Sequence, residues 1–208
     1  GSSMQVKEKL FILRKIKYGD SDLILSCLTS NGARISLIAR GAVKSKKRFG
    51  GGMLEPTHYI LALYEDKSSK ASENPLHTLK EASLLNAFDG LRTDYSRIEL
   101  ALHFLQMIGD VVREGEIDSE ELFNLLGNAL KSAETSKNLE LLKIHFEVKL
   151  LTHQGVLPLE ADEHKFMTEP IANHETIQIE PRELGDLRRK VRVVFAEYLG
   201  QVRKTQNP

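Results

Sequence analysis

The stretch "RGAVKSKKRFGGG", residues 40–52, carries the side chains in this sequence most suited to binding chemistry. Five cationic side chains precede one aromatic ring and three glycines, and no acidic residue occurs between Asp22 and Glu55. Cationic side chains neutralise phosphates and release counterions, and an aromatic ring can stack on a base. The pattern favours a nucleic-acid site, although a solvated loop is the simpler interpretation of the lysine run on its own.

Further cations lie on the predicted strands beside this stretch. Arg34 and Arg40 share one face of a strand, and Lys15 and Lys17 belong to a neighbouring strand. Phe49 either stacks on a base or packs back into the core, and the three glycines after it predict a loop that can move. The candidate DNA-binding residues are Lys15, Lys17, Arg34, Arg40, Lys44, Lys46, Lys47, Arg48 and Phe49.

The charge of the chain is divided unevenly. Its 208 residues contain 29 Lys and Arg and 29 Asp and Glu, so the formal net charge is zero. Residues 1–64 contain 11 basic and 4 acidic side chains, whereas residues 65–208 contain 18 basic and 25 acidic ones. A basic first part beside an acidic remainder predicts a polyanionic partner for the first part.

The sequence contains no recognisable set of catalytic residues. There is no Gly-x-Gly-x-x-Gly after a strand, no Walker motif, no Gly-x-Ser-x-Gly and no His-Glu-x-x-His. The seven histidines are scattered, and Cys27, the only cysteine, alternates with leucines as a small buried hydrophobe would. We therefore expect a protein that is not an enzyme and that binds no cofactor or metal.

No uncharged apolar run approaches the roughly 18 residues of a membrane helix. No signal-peptide pattern follows Met4, and Gly1-Ser2-Ser3 before it resemble the remnant of an expression tag. We expect a soluble, cytoplasmic protein with no membrane partner.

The period of the apolar residues changes from that of strands to that of helices near residue 85. Alternation predicts five short strands, which suggest a small barrel or sandwich, and the Asn-Gly pair at 31–32 predicts a hairpin. The predicted strands are 10–18, 22–29, 33–40, 57–65 and 77–85, with a polar loop at 66–75. We therefore predict an α+β chain with domains at 4–85 and 86–208.

The second domain is predicted to be helical. Its helices are 94–114, 118–133, 138–155 and 181–204, and the segment 157–180 is acidic and irregular. Cations lie on the last helix opposite its apolar stripe, either as a partner-binding surface, as an extension of the DNA surface or as a solvated face. The candidate partner-binding residues are Arg188, Arg189, Arg192, Arg203 and Lys204.

Residues 18–56, "YGDSDLILSCLTSNGARISLIARGAVKSKKRFGGGMLEP", resemble the RecO family of bacterial recombination mediators. The family pattern has Tyr-Gly-Glu/Asp-Ser-Asp, a Gly-Lys/Arg turn, Ala-Lys/Arg-Gly-Ala, a basic loop closing with Ser/Arg-Phe-Gly-Gly, and Leu-Gln/Glu-Pro. Weaker similarity continues into "HFEVKLLTHQGVLP", residues 145–158. The resemblance therefore covers most of the chain with decreasing specificity.

The resemblance implies an N-terminal five-stranded OB-fold β-barrel followed by a C-terminal α-helical domain. It implies binding of single- and double-stranded DNA, annealing of complementary strands, and action with RecR, sometimes with RecF. With these partners, the protein would load RecA onto DNA coated by single-strand-binding protein. It would recognise the coating protein partly through that protein's acidic, apolar C-terminal tail. An alternative remains: a protein-binding adaptor whose DNA affinity is weak or lost.

One feature departs from the family pattern. Many RecO proteins carry a four-cysteine zinc module after the Gly-x-x-Pro run, but residues 157–180 contain no cysteine. His164 and His174 with nearby acids are a poor replacement, so we expect no structural zinc.

Overall fold

The computed structural model describes residues 4–68 and 75–206. Five strands close into a barrel in the order β1-β2-β3-β5-β4, with β3 and β5 parallel and the other neighbours antiparallel. The strands are β1 (Met4–Tyr18), β2 (Asp22–Thr29), β3 (Arg34–Ala39), β4 (Tyr59–Asp66) and β5 (Leu76–Asn86). Helices follow the barrel, so the predicted fold class, an OB-type barrel and then a helical region, is confirmed.

The strand β1 begins six residues earlier than the alternation predicts. Residues 4–9 are mostly polar, but their backbone pairs with β4 in an unbroken register from Met4 opposite Asp66 to Lys9 opposite Leu61. Backbone pairing, which needs no apolar side chain, therefore extends the strand. Most of the loop predicted at 66–75, namely residues 69–74, lies outside the described residues.

The helices are α1 (Tyr95–Val111), α2 (Glu120–Thr135), α3 (Leu139–His153), α4 (Lys165–Thr168) and α5 (Pro181–Gln206). The Asn138 side chain accepts a hydrogen bond of 3.1 Å from the Leu141 amide and caps the start of α3. Gly155, with a φ of 74°, follows its end, as expected for a helix-stop glycine. No helix in residues 4–68 and 75–206 is long and apolar enough to cross a membrane.

Two compact units divide the chain. One comprises the residues up to 89 together with 101–126, and the other comprises 90–100 together with 127 onwards. The predicted boundary between two domains at residue 85 remains a prediction.

The first unit is centred on the barrel core. Inward-facing side chains of all five strands and of the segment after β3 fill it: Leu10, Ile12, Leu25, Cys27, Leu37, Ala39, Ala42, Phe49, Leu54, Ile60, Ala62, Tyr64 and Leu79. Cys27 is fully buried, as predicted, and burial raises the pKa of its thiol.

Residues 115–118 explain why the barrel unit extends beyond residue 89. They continue the hydrogen bonding of the β2–β3 hairpin: the Arg34 amide donates to Glu116 O at 2.9 Å, and the Asp118 amide donates to Gly32 O at 2.8 Å. Gly32 has a φ of 82°, and a Cβ at this position would lie 2.3 Å from Ser119 O. Only glycine allows so close an approach.

The second unit has its own apolar core between α3, α5 and the segment that joins them. Its buried members are Leu141, Ile144, Val148, Leu151, Leu157, Phe166, Ile177, Leu187 and Val191. The segment predicted as irregular contains the short helix α4 and 3₁₀ turns at Ala161–Glu163 and Ile171–Thr176.

Candidate nucleic-acid interface

Residues 40–52 form a basic loop that is anchored to the barrel by apolar side chains. Ala42 and Phe49, with Leu54 just beyond the loop, belong to the barrel core. Between these anchors the chain makes only a 3₁₀ turn, Ala42–Lys44, and bends. The five cations point outward and are exposed: Arg40, Lys44, Lys46, Lys47 and Arg48.

Hydrogen bonds hold the start of the basic loop against the β1–β2 turn. The Gly41 amide donates to Asp22 Oδ1 at 2.8 Å, and the Val43 amide donates to Ser21 O at 2.9 Å. Asp22, the acid closest in sequence to the loop on its N-terminal side, therefore accepts a hydrogen bond from one backbone amide of the loop.

Gly50 lies where the backbone of the basic loop passes close to itself. A Cβ at this position would lie 2.3 Å from Lys46 O, far inside normal contact distance. Gly51 and Gly52 have φ values of 71° and 69°, a region that favours glycine. The sequence predicted glycines that allow movement, whereas Gly50 allows a tight turn in which the chain passes close to itself.

Phe49 packs into the core. Its side chain is 4% exposed and lies among the barrel residues, while its amide donates to Ser45 Oγ at 3.0 Å. The Arg48 guanidinium carbon lies 4.6 Å from the Phe49 ring centroid, and Arg48 Nη2 donates to Arg40 O at 2.8 Å. Of the two alternatives for Phe49, the structure shows core packing, so its ring is unavailable to a base.

The predicted cations of β1 lie in different surroundings. Lys15 Nζ lies 2.7 Å from Glu55 Oε1, so the acid that follows the loop is occupied. Lys17 is exposed and lies opposite Leu23 of β2.

Arg34 is directed toward the end of α1. Its Nη1 donates to Gly109 O at 2.7 Å and to Val112 O at 2.8 Å, and its Nε donates to Ser26 Oγ at 3.1 Å. These carbonyls are left unpaired by the end of a helix, and a cation there is favourable. Burial lowers the pKa of Arg34. The structure therefore does not bring Arg34 together with the basic loop.

The loop cations are available to an external anion. Among the residues that the structure describes, none of the five forms an ion pair with a carboxylate. Several unpaired positive charges on an anchored backbone attract a polyanion, because each contact with a phosphate releases a counterion.

A cleft of about 340 Å³ lies in the same unit between the outer surface of β1–β3 and α1. Its lining residues are Leu13, Arg14, Lys15, Ser26, Arg34, Pro56, Leu102, Leu105, Gln106, Gly109 and Asp110. Arg14 was not among the predicted site residues; it is an exposed cation that follows the register shift in β1 between Ile12 and Arg14. No sequence pattern marks that shift.

The candidate partner-binding cations of α5 fall into two groups. Arg188 pairs with Glu140, and Arg189 pairs with Asp186. The other three are exposed and have no ion pair in the part of α5 that the structure describes: Arg192, Arg203 and Lys204.

The residues in place of the family's zinc module do not fit a zinc site. The ring nitrogens of His174 are engaged with Ser136 Oγ at 2.6 Å and Ile171 O at 2.9 Å. Within residues 4–68 and 75–206, no group of three or more His, Cys, Asp or Glu side chains is arranged to hold a metal ion.

The chain is similar to known proteins over most of its length. Residues 4–88 match the family described as Recombination protein O N terminal. The DNA repair protein RecO of Alkaliphilus metalliredigens is 30% identical over 156 residues, which cover 74% of this chain and 60% of that protein. The DNA repair protein RecO of Desulfosudis oleivorans is 34% identical over 148 residues, which cover 71% and 55%. The chain thus spans little more than half the length of these relatives.

Proposed function

Because this chain belongs to the RecO family, we propose that it is a DNA repair and recombination protein whose barrel binds DNA through the basic loop. One observation carries the proposal: the loop exposes five cations that have no ion pair among the described residues. Its anchors, Ala42 and Phe49, hold these cations on the surface of the barrel.

The proposed mechanism is binding without catalysis. The loop cations contact phosphates of single- or double-stranded DNA, which positions the nucleic acid without reading its sequence. Two complementary strands held close together on a positive surface repel each other less, which promotes annealing. No step requires a nucleophile, a general base or a cofactor.

The helical region supplies the protein contacts in this proposal. The family resemblance suggests RecR and the C-terminal tail of single-strand-binding protein as partners, and RecA as the protein finally loaded onto DNA. Arg192, Arg203 and Lys204 suit an acidic tail, because no carboxylate in the described part of the chain pairs with them.

A titration of a labelled single-stranded oligonucleotide at several salt concentrations tests the DNA-binding part. The Lys44, Lys46, Lys47, Arg48→Ala variant is expected to bind more weakly and to flatten the plot of log affinity against log salt. Each lost contact with single-stranded DNA changes the slope by about 0.7, so four lost contacts change it by about 3.

The matched control removes the same number and types of cation elsewhere. Lys131, Lys137, Lys143 and Arg182 are exposed residues, and their side chains make no ion pair among the described residues. Their replacement by Ala changes the net charge equally, so it reports the effect of overall charge alone. If the loop variant binds like the control variant, or the unmodified protein does not bind, the adaptor alternative replaces this proposal.

A further inference from the structure

An aromatic and an aliphatic side chain are exposed at the end of β1. Tyr18 is 58% exposed and Ile16 is 45% exposed. The Tyr18 hydroxyl has no hydrogen-bond partner among the residues that the structure describes. Apolar side chains exposed together on a small barrel call for a binding explanation more than isolated ones do.

The strand register shows that both side chains face away from the barrel core. Lys15 lies opposite Leu25, which is a core residue, so the alternate residues of β1 face outward. Ile16 lies opposite Ile24, and Tyr18 lies opposite Asp22. We call Ile16 and Tyr18 the β1 platform.

Cations flank the β1 platform. Arg14 precedes it by two residues on the same outward face and is exposed. On the other side, Asp22 opposite Tyr18 accepts the Gly41 amide at 2.8 Å, so the basic loop begins directly beside the platform. The exposed Arg40 is the neighbour of Gly41 in the chain.

We propose that the β1 platform is where the unstacked bases of single-stranded DNA are held, with Tyr18 as the stacking residue. This inference rests on the proposed DNA binding by the basic loop. Phosphates on the loop and on Arg14 would leave the bases over Tyr18 and Ile16. A duplex keeps its bases stacked inside, so it gains only from the cations.

General features of such sites agree with the placement. Proteins that bind single strands combine a cationic track with aromatic rings, and barrels of this type use the loop after their first strand for oligonucleotides. Phe49, the aromatic residue within the basic loop, is buried. Tyr18 lies immediately before the β1–β2 turn and is the exposed aromatic side chain beside the loop.

Binding of Tyr18→Ala and Tyr18→Phe to a single-stranded oligonucleotide and to a duplex tests the inference. Tyr18→Ala is expected to weaken single-strand binding about 5- to 150-fold, the range for loss of one stacked base. Duplex binding and the salt slope are expected to stay unchanged, and Tyr18→Phe is expected to retain single-strand binding. Equal loss for both DNA forms, or no loss, overturns the proposal.

A fluorescence measurement tests stacking directly. The chain contains no tryptophan, so Tyr18→Trp introduces a single reporter at the platform. A single-stranded oligonucleotide is expected to quench its emission, whereas the control Tyr95→Trp, at a 78% exposed tyrosine of the other compact unit, is not. Quenching equal to that of the control, measured at saturating DNA, overturns the platform.

The two proposals fail in different ways. If the basic loop is not a DNA site, the loop variant binds both forms of DNA as the unmodified protein does. If only the platform is wrong, the loop variant loses binding while Tyr18→Ala binds normally. In the latter case the exposed apolar pair would instead be a docking surface for protein.

Discussion

The basic loop, residues 40–52, and the connecting segment, residues 157–180, are two long irregular stretches that are held in place differently. In the basic loop, apolar anchors enter the core and the charged side chains remain outside without ion pairs among the described residues. In the connecting segment, polar side chains bond to other groups of the protein. His174 forms a hydrogen bond with Ser136, and Lys190 Nζ of α5 lies 2.5 Å from Glu163 Oε1.

The comparison shows which irregular stretch is available for binding. Both lack long backbone ladders, so side chains must fix them. Where the anchors are apolar, as with Ala42 and Phe49, the cations are left for a ligand. Where the anchors include buried polar groups, as with His145 and His174, hydrogen bonds within the protein use both ring nitrogens of His174 and the Nε2 of His145.

The largest expected effect is that of removing the aromatic anchor of the basic loop. Phe49→Ala leaves a cavity in the barrel core and is expected to lower the free energy of unfolding by about 3–5 kcal/mol. Urea denaturation measures it. Because the loop loses its anchor, DNA affinity should decrease as well in conditions where the variant is folded.

The neighbouring Arg48 provides the control for Phe49. Its side chain is exposed, so its truncation in Arg48→Ala is expected to change the free energy of unfolding by less than about 0.5 kcal/mol. The loss of its contact with the Phe49 ring adds to this change. A Phe49→Ala variant as stable as Arg48→Ala would show that apolar burial does not anchor the loop.

The second prediction concerns His145, an anchor of the connecting segment. Its Nε2 donates to Glu169 O at 2.9 Å, and its Nδ1 has no hydrogen-bond partner among the residues that the structure describes. The centroid of its ring lies 5.7 Å from that of Phe166, in an edge-on arrangement. Burial, and secondarily the charge of Lys149, lowers the pKa of His145 to about 4. The nearby His174 acts in the same direction, and the Glu169 carbonyl opposes it.

The sign of the pH dependence follows from this lowered pKa. Between about pH 6.5 and 4 the unfolded chain binds a proton at His145 that the folded protein does not. The contribution of His145 to the free energy of unfolding is therefore fully present above pH 6.5 and falls toward pH 4. The loss attributable to this residue is about 3 kcal/mol. Denaturation as a function of pH should show a shallower fall for His145→Gln, which cannot titrate.

His164 is the matched control, because it is an exposed histidine of the same segment. His164→Gln reports the effect of removing an exposed imidazole from the same segment, so a shallower fall found only in His145→Gln is attributable to the buried ring. Burial also lowers the pKa of His77 in the barrel unit, so only the difference between each variant and the unmodified protein isolates one residue. Parallel profiles for His145→Gln and the unmodified protein would contradict a histidine anchor.

Much of the fold could be predicted from the sequence because its signals are local. Period-two alternation and the Asn-Gly turn identify β2 and β3 within one residue at each end, and helix-stop residues such as Gly155 mark α3. The start of β1 could not be predicted, because its strand character comes from pairing with β4, more than fifty residues away.

The candidate site was less predictable than the fold because its details depend on distant contacts. The cations of the basic loop are visible in the sequence, but the partners of Arg34 on α1 lie 75 and 78 residues away in the chain. Phe49 follows a basic run, and only packing distinguishes a core anchor from a stacking ring. Tyr18 was visible within the family pattern, but its outward direction depends on the strand register.

The smallest predicted effect tests whether the close approach of Gly50 to Lys46, in addition to the burial of Phe49, holds the basic loop in place. A methyl group at Gly50 would lie 2.3 Å from Lys46 O, so Gly50→Ala must displace the backbone that carries Lys46 and Lys47. We expect a loss of about 1–3 kcal/mol in urea denaturation, together with weaker DNA binding. Gly200→Ala, within α5 and facing open space, should instead stabilise the protein by about 0.5–1 kcal/mol. If both variants are stabilised alike, the chain does not pass close to itself at Gly50, and the loop cations are positioned by Phe49 alone.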